Sequence, residues 1–339
     1  MTAVRDEFER QADPFRRELL AHCYRMLGSV DEAEDLVQET MLRAWRSYDR
    51  YDDRRASLRT WLYRIATNAC LTALSGVSRR PLPSGLGAPG EDPEQALVPA
   101  FDIPWVQPMP DAMLGAGPED PATTVGLRGS LRLAFVAAIQ YLPARQRAIL
   151  ILRDVLEFSA VEVANILATT PAAVNSGLQR ARARLDDVSV AEDRIEEPSD
   201  PTTRALIDQY VVAFETANIP ALTRLLTDQV VLEMPPVPLW FLGRDHYSQF
   251  IARVFRLRGP DWRMLRTTAN GQPAVGAYFR GDQNSYEAHT LQVFSLTSSG
   301  ISRNVVFQDP HLFELFDLPP ALDAASVTAT RPVRAPSGV

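Results

Sequence analysis

The sequence predicts a multidomain chain: two all-α segments separated by an irregular stretch, then an α+β domain. Three observations carry that prediction. Apolar residues recur at helical spacing over residues 15–80 and again over 128–187, residues 81–127 are rich in Pro and Gly without periodicity, and beyond residue 201 β-branched and aromatic runs alternate with turn residues. A chain of 339 residues has room for these units at roughly 100–200 residues per domain.

Each element follows from its local pattern. Phe15, Leu19, Cys23, Met26 and Leu27 keep one face of a first helix apolar, and Leu36, Val37, Met41, Ala44, Trp45 and Tyr48 do the same for a second. Ser29 followed three residues later by Glu32 is a capping-box signal for the second start. A third helix over Ser57–Leu74 carries Leu58, Trp61, Leu62, Ile65, Ala69 and Leu71. From Ser159 the pattern shortens into SAVEVANIL, ATT and PAAVNSGLQRARARL. Ser159 with Glu162 repeats the capping box, and Thr170 before Pro171 supplies a cap and a proline at the first helical position, which together predict a helix-turn-helix. Further on, helices at Thr202–Ala217, Pro220–Leu226 and Asp245–Phe255 accompany strands at Val230–Met234, Trp262–Thr268, Ala274–Phe279, Tyr286–Leu296 and Ile301–Phe307. Turns carry Gly271, Gly281 and Ser298-Ser299-Gly300, so the sheet is expected to be curved and largely antiparallel.

Composition narrows the function classes. Apolar residues at 46% and charged ones at 23% are those of a globular chain and exclude a disordered one. No apolar run approaches the roughly 20 residues of a membrane span, and the start MTAVRDEFERQADPF is charged where a signal peptide is apolar, so a cytoplasmic location is expected. Cys23 and Cys70 are too few for a disulfide framework or a cysteine-rich zinc site, and four scattered histidines add no metal pattern, so two buried reduced thiols and no cofactor or metal are expected.

The net charge of −7 argues against nucleic acid only until it is divided. All 35 basic residues are arginine; the net is +1 over residues 1–80, −7 over 81–127, +3 over 128–187 and −4 over 188–339. The acidic stretch 81–127 reads as a solvated linker, and a shorter break lies at Glu192–Pro201. In the last helix of the helix-turn-helix, Val174, Leu178, Ala181 and Leu185 form the buried stripe. Ala172, Ser176 and Gln179 project oppositely, flanked by Asn175, Arg180 and Arg184. Small and polar residues near the start suit contact with base edges, and the arginines beyond suit phosphates.

The stretch Asp31-Glu-Ala-Glu-Asp-Leu-Val-Gln-Glu-Thr-Met-Leu-Arg-Ala-Trp45, with Thr60-Trp-Leu-Tyr-Arg-Ile-Ala-Thr-Asn68, resembles domain 2 of the extracytoplasmic-function (ECF) sigma factors. Leu142-Pro-Ala-Arg-Gln-Arg-Ala148 and Ser159–Leu185 resemble domain 4 of that family, in the same order. The resemblance implies that Asp35, Gln38, Glu39, Leu42 and Arg43, which share a helix surface, bind the β′ coiled coil of core RNA polymerase, with the β subunit as a second contact. It implies that Trp61, Arg64 and Asn68 help open the −10 promoter element and receive a flipped base. It assigns Asn175, Ser176, Gln179, Arg180, Arg182 and Arg184 to the −35 element. Asn175 and Gly177 stand where relatives often carry Lys and Arg, and Leu71–Ser78 lacks the basic residues that often follow Asn68, so the isolated −35 domain is expected to bind weakly.

The carboxy-terminal region resembles the SnoaL-like, nuclear-transport-factor-2-like fold, a cone of helices against a curved sheet, and some ECF sigma factors carry such a domain behind domain 4. LEMPPVPLWFLGRD (Leu232–Asp245) and TANGQPAVGAYFR (Thr268–Arg280) look like that subgroup. The expected boundaries are domain 2 at 1–80, the linker at 81–127, domain 4 at 128–190, the SnoaL-like domain at 200–318 and a tail at 319–339. Trp240, Asn270, Tyr278 and His289 are candidates for a ligand pocket at the mouth of the cone. The implied partners are core polymerase and promoter DNA, with a small-molecule ligand or an anti-sigma protein as further candidates. Two other readings of the residues stay open: a helix-turn-helix regulator with a ligand domain and no polymerase contact, and an enzyme using His289 and Asp309 as an acid–base pair.

Overall fold

The structure, a computed structural model, describes residues 2–76, 79–114, 129–188, 201–281 and 285–323. Two compact units account for it: Met1–Leu82 with Asp102–Glu192, and Pro83–Phe101 with Asp193–Val339. Most of the expected break at 192–201, the linker residues 115–127 and the tail from 324 lie outside the described residues.

Unit 1 is helical. Its amino-terminal bundle consists of α1 (Thr2–Ala12), α2 (Arg16–Leu27), α3 (Val30–Ser47) and α4 (Leu58–Ala73). Leu19, Cys23 and Met26 of α2, Val37, Met41 and Ala44 of α3, and Leu62, Ala66 and Cys70 of α4 are all buried. Cys23 and Cys70 are free thiols in that core, and the Cys23 hydrogen bond together with burial pushes the Cys70 thiol up. Gly28 ends α2 in the left-handed region at φ 71°, where a Cβ would be strained and would also meet Arg80 and Gln140 at 3.3 Å. Only half of the expected capping box forms at α3. The Ser29 hydroxyl accepts from the Glu32 amide, but the Glu32 carboxylate pairs with Arg80, and the Val30 amide donates to Gln107 Oε1 at 2.8 Å.

The second part of unit 1 comprises α5 (Asp111–Leu114), α6 (Leu133–Ile139), α7 (Ala144–Leu150), α8 (Ala160–Ile166) and α9 (Pro171–Val188), with α7 running on into a π-helical turn at Ile151–Val155. A seam of buried arginines joins it to the bundle. The last carbonyls of α2 have no partner within their helix. Arg25 O accepts from Gln140 Nε2 at 3.3 Å, and Met26 O accepts from Arg147 Nη1. Arg147 is 4% exposed, and its hydrogen bonds go to carbonyl oxygens. Its remaining donors go to Ile139 O (3.0 Å), Gln140 Oε1 (2.6 Å), Gln140 O (3.0 Å) and Leu142 O (3.2 Å). Burial lowers both Arg25 and Arg147 to about 10. Beside them, Arg59 of α4 lies 4.5 Å over the Phe158 ring, and Tyr63 meets the same ring edge-on at 5.1 Å.

Unit 2 is the α+β domain. A seven-stranded sheet runs in the order β2-β1-β6-β5-β4-β3, with β7 on β5. The strands are β1 (Leu226–Glu233), β2 (Trp240–Leu242), β3 (Trp262–Ala269), β4 (Gln272–Arg280), β5 (Ser285–Thr297), β6 (Gly300–Phe307) and β7 (Ala321–Asp323). The pairing is antiparallel except between β1 and β6. Helices α10 (Pro201–Glu215), α11 (Ile219–Arg224) and α12 (Arg244–Arg258) cover one face through Tyr210, Phe214, Leu222, Tyr247 and Phe250, and α13 (His311–Leu315) packs Phe313 against Tyr278. Strands β2 and β7 and helix α13 were not expected from the sequence.

The acidic stretch departs from the expectation of solvated chain. Residues 83–101 belong to unit 2 and are held there by hydrogen bonds at Ser84, Gly87, Gly90, Glu94 and Ala100. Residues from Asp102 onward return to unit 1, where the Gln107 amide donates to Gly28 O at 2.9 Å and Tyr24 donates to Gln107 O at 2.8 Å. Backbone hydrogen bonds hold much of both halves, beside the buried Val106 and Met109, and such bonds leave no periodicity to read.

Candidate functional site

The α3 surface carries the first candidate site. Asp35, Gln38, Glu39, Leu42 and Arg43 are all exposed, Leu42 at 46%, and Glu39 pairs with Arg43 at 2.6 Å. A groove of about 220 Å³ opens beside them, floored by Leu27, Leu36, Ala73 and Leu74 and edged by Asp35 and Arg80. An exposed leucine ringed by charges beside an apolar groove suits a protein partner with a mixed surface.

On α4, Arg64 and Asn68 are exposed one turn apart, but Trp61 is 8% exposed, with the Tyr51 ring 5.1 Å from its own. Trp61 is therefore core here, and the two polar residues form the outer face of the helix. His22 lies behind it, bonded to Thr67 at 2.9 Å and edge-on to Tyr63 at 5.1 Å. Burial, then Arg25 and Arg59, lowers His22 to about 3.

The helix-turn-helix forms as its caps require. Ser159 N donates to Glu162 Oε2 at 2.8 Å while Glu162 N donates to Ser159 Oγ at 3.2 Å, a complete capping box that holds the Glu162 carboxyl below its usual range. Ala173 N donates to Thr170 Oγ1 at 3.2 Å, and Arg145 donates to Leu167 O at 2.7 Å, fastening the turn to α7. Asn175, Ser176, Gln179, Arg180 and Arg184 are exposed together on α9. Two expectations change. Arg182 is held by Asp154 through bonds of 2.9 and 2.8 Å, so its guanidinium is already engaged. Gly177 points inward, where a Cβ would lie 2.6 Å from Ile149 Cδ1, so it marks a close helix crossing and not a missing phosphate contact.

In unit 2 the four proposed pocket residues do not converge. Trp240 donates its indole N–H to Gly87 O at 2.9 Å, on the strand edge. Asn270 is buried in the two-residue β3–β4 turn at φ 59°. Tyr278 donates to Pro319 O at 2.9 Å within the small cluster around Phe313, and burial pushes its phenol up to about 12. His289 is the extra residue of a β-bulge, because Ala277 pairs with Thr290 and Tyr278 with Ala288. Its ring meets Trp262 at 5.2 Å and Phe279 at 5.6 Å, and burial, then Arg258, lowers it to about 4. Asp309 accepts from the His311 amide at 3.0 Å instead of facing an acid–base partner. The polar residues that do meet inside the cone were not among the candidates. Tyr210 and Tyr247 share a bond of 2.9 Å, Gln292 accepts from Tyr210 at 3.0 Å, and Asn304 donates to Tyr247 at 2.8 Å and to Gln292 at 3.1 Å. Among the described residues no group of three or more His, Cys, Asp or Glu could hold a metal ion, and no helix is long and apolar enough to cross a membrane.

Comparison with known proteins agrees with this division. The Sigma-70 region 2 family matches residues 12–80, Sigma-70 region 4 matches 132–185, and the SnoaL-like domain matches 207–304. The ECF RNA polymerase sigma factor SigG of Mycobacterium tuberculosis is 47% identical over 320 residues, covering 94% of this chain and 85% of its own. The chain belongs to the ECF RNA polymerase sigma factors. This sigma factor is also similar to SigW of Bacillus subtilis, at 31% identity over 180 residues, which is 53% of this chain and 87% of that one. The crystal structure of the Mycobacterium tuberculosis ECF sigma factor SigJ shares its fold, with a TM-score of 0.60 over 91% of this chain and 99% of that one at 21% identity. Helical sigma domains followed by a helix-plus-sheet SnoaL-like domain are therefore the architecture of this ECF sigma factor.

Proposed function

We propose that this sigma factor acts in the cytoplasm to bring core RNA polymerase to its promoters, with domain 2 at 1–80, domain 4 at 128–190, and no catalytic chemistry of its own. The observation that carries this reading is the α3 face, where Asp35, Gln38, Glu39, Leu42 and Arg43 stand exposed together on a capped helix. That face docks the β′ coiled coil. Arg64 and Asn68 serve the −10 element, with Trp61 as the wall behind them. Asn175, Ser176, Gln179, Arg180 and Arg184 serve the −35 element, and Arg182 joins them only by leaving Asp154.

The seam adds a regulatory reading. With Tyr63 of α4 in ring contact with Phe158 beside α8, the two sigma domains are packed on each other, a closed form that opens when each takes its own promoter element. The SnoaL-like domain modulates that opening without catalysis: aromatic rings and the Tyr210–Tyr247–Gln292–Asn304 network fill the interior of its cone.

The test is co-purification with core polymerase and run-off transcription from a cognate promoter. The Asp35→Ala, Gln38→Ala double variant is expected to keep its circular dichroism and lose core binding at least tenfold. A double variant that binds core as the parent does sinks the assignment of α3.

A further inference from the structure

Residues 83–101 form a strap on unit 2, and the way it is held is selective at two positions. Most bonds go to its backbone. Gly90 N donates to Trp240 O at 2.7 Å and Ala100 N donates to Pro236 O at 2.9 Å. Arg253 Nη1 donates to Pro93 O and to Gln95 O, both at 2.7 Å, and Trp240 Nε1 donates to Gly87 O at 2.9 Å. Any chain that follows the same path, with its turn at Asp92–Gln95, supplies those groups.

Gly90 and Glu94 are different. A Cβ on Gly90 would lie 2.6 Å from Nε2 of the strap's own Gln95, 2.7 Å from Leu239 Cδ1 and 3.0 Å from Phe241 Cε1, so a larger residue enters only by pushing these side-chain ends aside. Four residues on, Arg256 donates to both carboxylate oxygens of Glu94, at 2.8 and 2.6 Å, with Arg253 at 3.9 Å. The receiving groups come from the end of β1, where Glu233 accepts from Ser84 N at 2.8 Å, from β2 and the residues before it, and from α12. With the strap in place the Arg253 side chain is 13% exposed, covered by two strap carbonyls and the Glu94 carboxylate. A glycine and, across a turn closed by Gln95 N on Asp92 O at 3.2 Å, a carboxylate four residues later form a readable code, and the two arginines match its charge.

We propose that this face of the SnoaL-like domain is a peptide-recognition site for acidic segments that place a glycine four residues before a glutamate across a turn, and that such a segment of a second protein takes it by displacing the strap. The inference does not depend on the promoter reading. The strap competes as a tethered ligand, at an effective concentration on the millimolar scale, so a partner gains access when the strap is weakened or when its own affinity is higher.

Fluorescence anisotropy of a labelled synthetic peptide of residues 83–101 added to the full-length protein tests this. The unaltered protein is expected to bind weakly because its own strap competes. A full-length Gly90→Val variant, whose strap no longer seats, should bind the peptide at least tenfold more tightly. Glu94→Ala, which leaves the strap backbone untouched, should show a smaller gain and guards against misfolding of the first variant. Adding Arg256→Ala to either should abolish the gain, as should Gly90→Val within the peptide. Equal peptide affinity in the unaltered and strap variants overturns the proposal. So does equal binding of a scrambled peptide, which would reduce the contact to unspecific charge attraction.

Discussion

Arg147 shows how a buried charge is accommodated: five oxygens around its guanidinium, four of them backbone carbonyls, replace the water it has lost. The residue stands in the Leu142–Ala148 motif, so its presence was legible, but its role was not, because nothing in a local pattern announces a bond to Met26, 121 residues away. His22 was likewise visible only as a lone histidine on an apolar face. Its burial has a consequence in pH. The folded value of about 3 lies below the ordinary 6.5, so the unfolded chain binds the extra proton between those limits. Stability from the neutral ring is complete above about pH 6.5 and is lost as pH falls toward 3. Acidification from pH 7 to 5 is expected to cost about 2 kcal/mol at 1.36 kcal/mol per unit, read as a fall in the urea midpoint of unit 1. His22→Gln should flatten that slope, and an unchanged slope would assign the acid sensitivity elsewhere. His289 gives unit 2 a dependence of the same sign, between about 6.5 and 4.

Among the elements, those that announce themselves through caps formed where their signals stand. Ser159, Glu162, Thr170 and Pro171 place α8 and α9 by local bonds alone. The three-residue strands β2 and β7 have no room for an alternating pattern, and α13 is a single turn after Pro310, so none of the three leaves a period to count. The pocket candidates failed for a related reason: a bulge at residue 289 and a left-handed Asn270 set side-chain directions that simple alternation does not give. On α9 the same distinction separates two substitutions that look equivalent in sequence. Asn175→Lys adds a charge to an exposed face and is expected to strengthen −35 binding, steepening the salt slope by about 0.9 per new phosphate contact. Gly177→Lys drives its side chain into Ile149, so it should cost about 1–3 kcal/mol and leave the salt slope unchanged. Salt titrations of duplex binding and urea unfolding of the two variants check both outcomes. A steeper slope for Gly177→Lys would place residue 177 on the DNA side after all.

The whole molecule routes the connection between its two sigma domains through a third. Of the chain between Leu82 and Asp102, all 19 residues from Pro83 to Phe101 belong to unit 2. Released, they would reach at most about 65 Å at 3.3–3.6 Å per residue. Truncation after residue 190 removes the face that holds them, and run-off transcription by the truncated protein is expected to rise at least threefold as the tether lengthens. An unchanged or lower rate would show that the strap does not restrain opening.

The order of synthesis gives the strap one more consequence. Glu94 leaves the ribosome 162 residues before Arg256, its partner. Domain 4 ends near residue 190, so at roughly 5–20 residues per second ~3–13 s pass in which both sigma domains are complete and the arginine that closes on Glu94 is still to be made. Each new copy therefore begins life unstrapped, and whatever reaches the nascent sigma domains in that interval meets a protein whose restraint has not been made.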